Sequence, residues 1–105
     1  MPPRVLETIE VRLPSGAPFE VLTEPEAEYI EHQVAQYTKA HIFENPSDLA
    51  DLDSVIRKEM LLWRWEIWLS READWNGDPI DVRHYGQQVK QLSVEVRQLK
   101  EQLEI

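Results

Sequence analysis

Residues 79–103 read PIDVRHYGQQVKQLSVEVRQLKEQL, and the spacing of their apolar side chains decides the fold. Val82, Tyr85, Val89, Leu92, Val96, Leu99 and Leu103 alternate steps of three and four residues, which keeps one face of a helix apolar. Asp78 is placed to cap that helix, Pro79 suits its first position and Asp81 its third. A helix over 79–103 is about 37 Å long at 1.5 Å per residue, more than a small core needs. Val82, Val89, Val96 and Leu103 take the first core position of a heptad and Tyr85, Leu92 and Leu99 the fourth, so the seam matches a coiled coil. β-Branched residues at the first position with leucine at the fourth favour a parallel pair, and Glu95 and Lys100 have the five-residue offset that pairs across parallel helices. An antiparallel partner within the same chain is the other use of this stripe.

Upstream of it, Asn76-Gly77-Asp78-Pro79 is the strongest break in the chain. The segment before that break opens with Asn45 as a cap, Pro46 at the first helical position and Asp48 near the exposed N–H groups. Leu49, Leu52, Ile56, Met60, Trp63 and Ile67 mark one stripe, and Leu61, Trp65, Trp68 and Leu69 add a second. A helix over 46–73 is therefore amphipathic at first and apolar on most sides later. A further helix over 24–40 starts from Thr23-Glu24-Pro25-Glu26, where Thr23 caps and Glu26 returns a bond to the cap N–H. Its apolar stripe is Ala27, Ile30, Val34 and Tyr37, opposite Glu24, Glu28, Glu31 and Gln36. Before it, Ile9, Val11 and Leu13 alternate, Pro14-Ser15-Gly16-Ala17-Pro18 makes a turn, and Phe19-Glu20-Val21-Leu22 follows. That pattern predicts a small hairpin or extended arm, which must pack on a helix or another subunit.

The expected fold is thus mostly α: an N-terminal arm or β-hairpin over 1–23, a helical core with a helical hairpin over 24–76, and a long heptad helix for oligomerisation over 77–105. With 105 residues, 42% apolar and 30% charged, the chain has material for one modest core. Twenty acidic against eleven basic side chains give a formal charge of -9, a field that repels nucleic acid and anionic lipid unless a local basic surface overcomes it. Cysteine is absent, which excludes disulfides, thiol catalysis and thiolate metal sites. Met1-Pro2-Pro3-Arg4 lacks the apolar stretch of a secretion signal, and the densest apolar run, residues 60–69, is broken by Arg64 and Glu66. A soluble intracellular protein without a membrane partner is expected.

Catalytic chemistry has little to stand on. His32, His41 and His84 show no zinc-ligand spacing, so neither a metal nor another cofactor is expected. Asp48, Asp51 and Asp53 form one tight carboxylate group, but Asp51 and Asp53 diverge by about 200° on a helix, so they read as helix-start electrostatics and solubility. The four tryptophans, all between Trp63 and Trp75, either fill a small core or mark an interface. The reading adopted is a mixture, with Trp63 central and Trp65 or Trp68 shared with a neighbour. Arg83, Lys90 and Arg97 recur every seven residues and line one edge of the last helix. In a closed ring that thin stripe is repeated and can face a channel; Arg57 and Lys58 are the other candidates for nucleic-acid contact.

Three stretches in this order carry a family resemblance: Asn45-Pro46-Ser47-Asp48-Leu49-Ala50-Asp51-Leu52-Asp53, then Trp63-Arg64-Trp65-Glu66-Ile67-Trp68-Leu69-Ser70-Arg71, then Val89-Lys90-Gln91-Leu92-Ser93-Val94-Glu95-Val96-Arg97-Gln98-Leu99-Lys100. The chain resembles the small terminase subunits of tailed bacteriophages, in particular those of actinobacterial phages, over about residues 24–103. The resemblance implies a non-enzymatic, ring-forming DNA-packaging protein of the host cytoplasm. Such a protein binds double-stranded viral DNA and regulates the large terminase subunit, which carries the ATPase and nuclease. It places the homo-oligomer interface on Trp63, Trp65, Trp68, Tyr85, Val89, Leu92, Val96 and Leu99. Two departures stand out: no recognition helix rich in arginine or lysine can be named, and little chain follows Leu103. The competing reading is an oligomeric helical scaffold or adaptor that does not bind DNA.

Overall fold

A computed structural model describes residues 7–105; residues 1–6 of the expected arm lie outside the described residues. The fold is mostly helical, with a short antiparallel hairpin followed by three helices: β1 (Ile9–Arg12), β2 (Pro18–Val21), α1 (Glu24–Ala40), α2 (Pro46–Arg71) and α3 (Val82–Leu103). The chain separates into two compact units, residues 1–53 and 54–105, with the boundary inside α2. These units do not coincide with the segments 1–23, 24–76 and 77–105. Contacts made at long sequence separation join the hairpin to the start of α2 in the first unit and the rest of α2 to α3 in the second.

In the first unit the strands pair Ile9 with Val21, Glu10 with Glu20, Val11 with Phe19 and Arg12 with Pro18. Alternation along each strand puts Ile9, Val11, Phe19 and Val21 on one face, and the hairpin packs on α1. The turn closes through Gly16 N–H to Leu13 O at 2.8 Å and Leu13 N–H to Ala17 O at 3.0 Å. Gly16 supplies the φ of +89° that this return requires. Val11, Leu13, Val21, Ile30 and Leu52 are buried here, and each large aliphatic side chain among them contributes about 1.5–3 kcal/mol.

Thr23 caps α1 by accepting from the Glu26 N–H at 3.3 Å. The Glu26 carboxylate accepts from the N–H of Leu22 at 2.8 Å. Glu26 is fully buried, so its side chain is turned back to the end of β2 and satisfies a donor there. Asn45 caps α2 as its position implies: its Oδ1 accepts from Ser47 N–H at 2.9 Å, and its carbonyl from Leu49 N–H at 3.1 Å.

The second unit holds Val55, Ile56, Met60, Leu92 and Val96 as buried residues. α2 ends with Glu72 in the left-handed region at φ +56°, while Ala73 N–H reaches back to Trp68 O at 3.1 Å. A tight loop follows. Asp74 Oδ1 accepts from the N–H groups of Asn76 and Asp78, Gly77 takes φ +82°, and Ala73 bridges Pro79. Because Asp78 and Pro79 are held in that loop, α3 starts at Val82 and not at Pro79. Its cap is Asp81, whose side chain accepts from the His84 N–H at 3.1 Å. Val82, expected at the head of the apolar seam, is 43% exposed. Among the described residues, no helix is long and apolar enough to cross a membrane.

Candidate functional site

The 22 residues of α3 rise about 33 Å, and a step of seven residues turns the helix back by only about 20° from its starting direction. Arg83, Lys90 and Arg97 therefore share one face along about 21 Å, and all three are exposed. None makes a hydrogen bond or ion pair among the described residues. Val94, 42% exposed, stands one turn from Lys90 on the same face. Near the C-terminal end, Ser93, Val96, Arg97, Lys100, Glu101 and Ile105 line a shallow groove of about 340 Å³. α3 carries four basic and two acidic side chains in a chain of formal charge -9.

The opposite side of α3 is covered. Leu92 and Val96 are each 8% exposed within the single chain, and Tyr85, Val89 and Leu99 are half-buried. α2 and α3 meet antiparallel: Lys58 pairs with Glu95, while Trp65 and Trp68 meet Tyr85. Within the chain the stripe meets α2 at Tyr85. Glu95 accepts from Lys58 Nζ at 2.8 Å and from Gln91 Nε2 at 3.3 Å. The Lys58 and Gln91 hydrogen bonds, with the Lys58 charge, hold its carboxyl below the usual glutamate value.

This pairing also separates the two groups of basic candidates. Glu95 projects about 140° around α3 from Lys90, so Lys58 lies on a different side of the helix from the exposed stripe and its charge is already matched. Arg57 is half-buried and has partners of its own. Lys58, held by Glu95, is thus set apart from the face of Arg83, Lys90 and Arg97.

The tryptophans form a continuous set of ring contacts. Trp75 lies 6.3 Å from Trp63 and 6.0 Å from Trp68, and Tyr85 lies 5.5 Å from Trp65 and 5.7 Å from Trp68. The Arg71 guanidinium stands over Trp75 at 5.8 Å. Trp63, Trp65, Trp68 and Trp75 are all half-buried, and the Trp68 indole N–H is buried without a hydrogen-bond partner among the described residues. Trp75 joins Trp63 to Trp68 because the Asp74–Asp78 loop folds it back onto α2. That role was hidden in the sequence, where only the Asn76-Gly77 turn signals the return.

Asp53 is the residue whose position the sequence misplaced most. Expected to serve helix-start charge and solubility, it is 3% exposed. Its Oδ1 accepts from the Ser15 N–H at 3.1 Å, and its Oδ2 accepts from the Ser15 hydroxyl. It clips the hairpin turn to α2. Asp48 is exposed and Asp51 half-buried, as solvated helix-start residues are. His32 and His84 are exposed, and the His41 ring lies tilted 5.9 Å from that of Phe43. Among the described residues no three His, Asp or Glu side chains are grouped to hold a metal.

The units differ in charge. Residues 1–53 hold eleven acidic and three basic side chains, a formal -8, whereas residues 54–105 hold nine and eight, a formal -1. Comparison with protein-family models, characterised proteins and solved structures finds no match for this chain.

Proposed function

We propose that this protein is a non-catalytic viral DNA-packaging protein of the small terminase type. It acts as a homo-oligomeric ring in the host cytoplasm, binds double-stranded viral DNA and regulates the large terminase subunit. The observation that carries the reading is the exposed, aligned stripe of Arg83, Lys90 and Arg97 on α3, which joins the motif order already described. Repeated around a ring, such a stripe supplies phosphate contacts in a chain where no recognition helix rich in arginine or lysine can be named. The half-buried Trp63, Trp65 and Trp68, with Val89 and Leu99, offer the apolar surface for assembly.

The test combines native mass with DNA titration at low ionic strength. An oligomer above a dimer is expected. Its affinity should fall steeply with salt and be weakened about equally for all sequences by Arg83→Ala, Lys90→Ala and Arg97→Ala together. Wild-type affinity in that triple variant would remove this face as the DNA contact. One observation favours a second reading, an oligomeric scaffold or adaptor: the formal charge of -9 opposes DNA at long range. A dimer or trimer without DNA affinity at low salt would select it.

A further inference from the structure

The acidity of residues 1–53 is organised. Glu24, Glu28 and Glu31 are exposed on one face of α1, at steps of four and three, and make no hydrogen bond or ion pair among the described residues. Glu24 and Glu31 are seven residues apart, about 10.5 Å along the axis. Arg83, Lys90 and Arg97 repeat at the same interval on α3. Two ridges of opposite sign and equal repeat can be matched when two helices lie side by side.

Gly86 supplies an independent observation. It lies inside α3, between Arg83 and Lys90 and close to their face, where a glycine weakens a helix. A Cβ at this position meets nothing within 4 Å, and its φ is not in the positive region. Among the described residues, no contact of this kind calls for a glycine there. The missing side chain leaves a notch in the basic ridge that lets a second backbone approach, and Val94 adds an exposed apolar contact further along.

We propose that the Arg83, Lys90 and Arg97 face of α3 docks on the Glu24, Glu28 and Glu31 face of α1 from a second copy of this chain. Charge complementarity and the shared repeat select that occupant. The formal charge of -9 makes two copies repel at a distance, but screening over about 8 Å at physiological salt leaves the facing ridges to dominate at contact. Where the DNA reading also holds, DNA and the neighbouring α1 compete for one stripe, so docking regulates DNA access. That clause rests on the proposed function; the docking does not.

Charge reversal in the full chain tests it, with sedimentation velocity as the readout and circular dichroism confirming helix content. Glu28→Lys with Glu31→Lys brings the formal charge to -5, and Lys90→Glu with Arg97→Glu brings it to -13. Each pair alone should weaken self-association at least tenfold. An equimolar mixture of the two variants should restore it, because each then offers the ridge the other lacks. If overall repulsion alone governed association, the -5 variant would associate more tightly than wild type, which overturns the docking. So does a wild type that stays monomeric, a mass profile unchanged in both variants, or a mixture that fails to recover. Loss of DNA binding in the α3 variant with all masses unchanged leaves the face to nucleic acid and overturns the docking alone. Recovery in the mixture with no DNA binding by any form overturns the DNA reading and supports the docking.

Discussion

Replacing Asp53 with alanine removes two hydrogen bonds that tie the hairpin turn to α2, both from Ser15 to a carboxylate that is 3% exposed. A hydrogen bond to a charged group contributes about 1.5–3 kcal/mol. The two do not add fully, because Ser15 is exposed and its hydroxyl can turn to water once the carboxylate is gone. The burial cost of the carboxylate is recovered as well. The net loss expected is about 2–4 kcal/mol, a large part of the roughly 5–15 kcal/mol that holds a domain together. Ser15→Ala keeps the N–H bond to Oδ1 and should cost about half as much. Urea unfolding followed at 222 nm measures both losses, and a double-mutant cycle isolates their coupling, expected at about 1 kcal/mol or more. Because all four tryptophans lie in residues 54–105, their fluorescence reports the second unit separately. An Asp53→Ala variant within about 0.5 kcal/mol of wild type, the range of an ordinary surface change, would refute the clip.

Other outcomes follow from single contacts. The carboxyl of Glu95 is held below its ordinary value of 4.5 by Lys58 and Gln91, so its contribution to stability is present above that value and lost as pH falls through the lower, folded-state value. Lys58→Met should flatten this part of an acid titration of stability, and high salt should mimic it; equal acid sensitivity in variant and wild type would dismiss the pair as a contributor. Glu72 ends α2 at φ +56°, so Glu72→Gly should be neutral or stabilising by up to about 1 kcal/mol, while Glu72→Val should destabilise in thermal melts. Leu92→Glu places a carboxylate at a position 8% exposed within the chain, and should cost about 3 kcal/mol or more even at concentrations where no oligomer forms. A melting temperature that drops only at high protein concentration would instead assign Leu92 to a subunit contact.

Much of this architecture is written in short-range pattern. Thr23 and Asn45 cap α1 and α2 as their spacing implies, the Pro14-Ser15-Gly16 turn forms between β1 and β2, and the chain breaks at residues 74–78. Such signals are legible because a cap acts on N–H groups two or three residues away and a helical stripe repeats every 3.6 residues. The alignment of Arg83, Lys90 and Arg97 is equally a property of helix geometry. Even the displaced start of α3 was a choice between neighbouring aspartates, Asp78 and Asp81, decided by whether the loop before it consumed the first.

Tertiary structure decided what each face meets. The apolar seam of α3 is identical in sequence whether it closes on a second subunit or on α2, and only the reversal of direction at the Asp74–Asp78 loop brings Tyr85 to Trp65 and Trp68. Lys58 and Glu95 are 37 residues apart, and Asp53 and Ser15 are 38. No local periodicity encodes partners at that separation, so a carboxylate that reads as helix-start charge became a buried clip, and a lysine that reads as free for DNA became half of an ion pair. Helix positions and their polar or apolar sides follow from the sequence alone, because they depend on neighbours within one turn. The choice of partner for each side depends on how the chain returns on itself, and that is settled only when the folded units form.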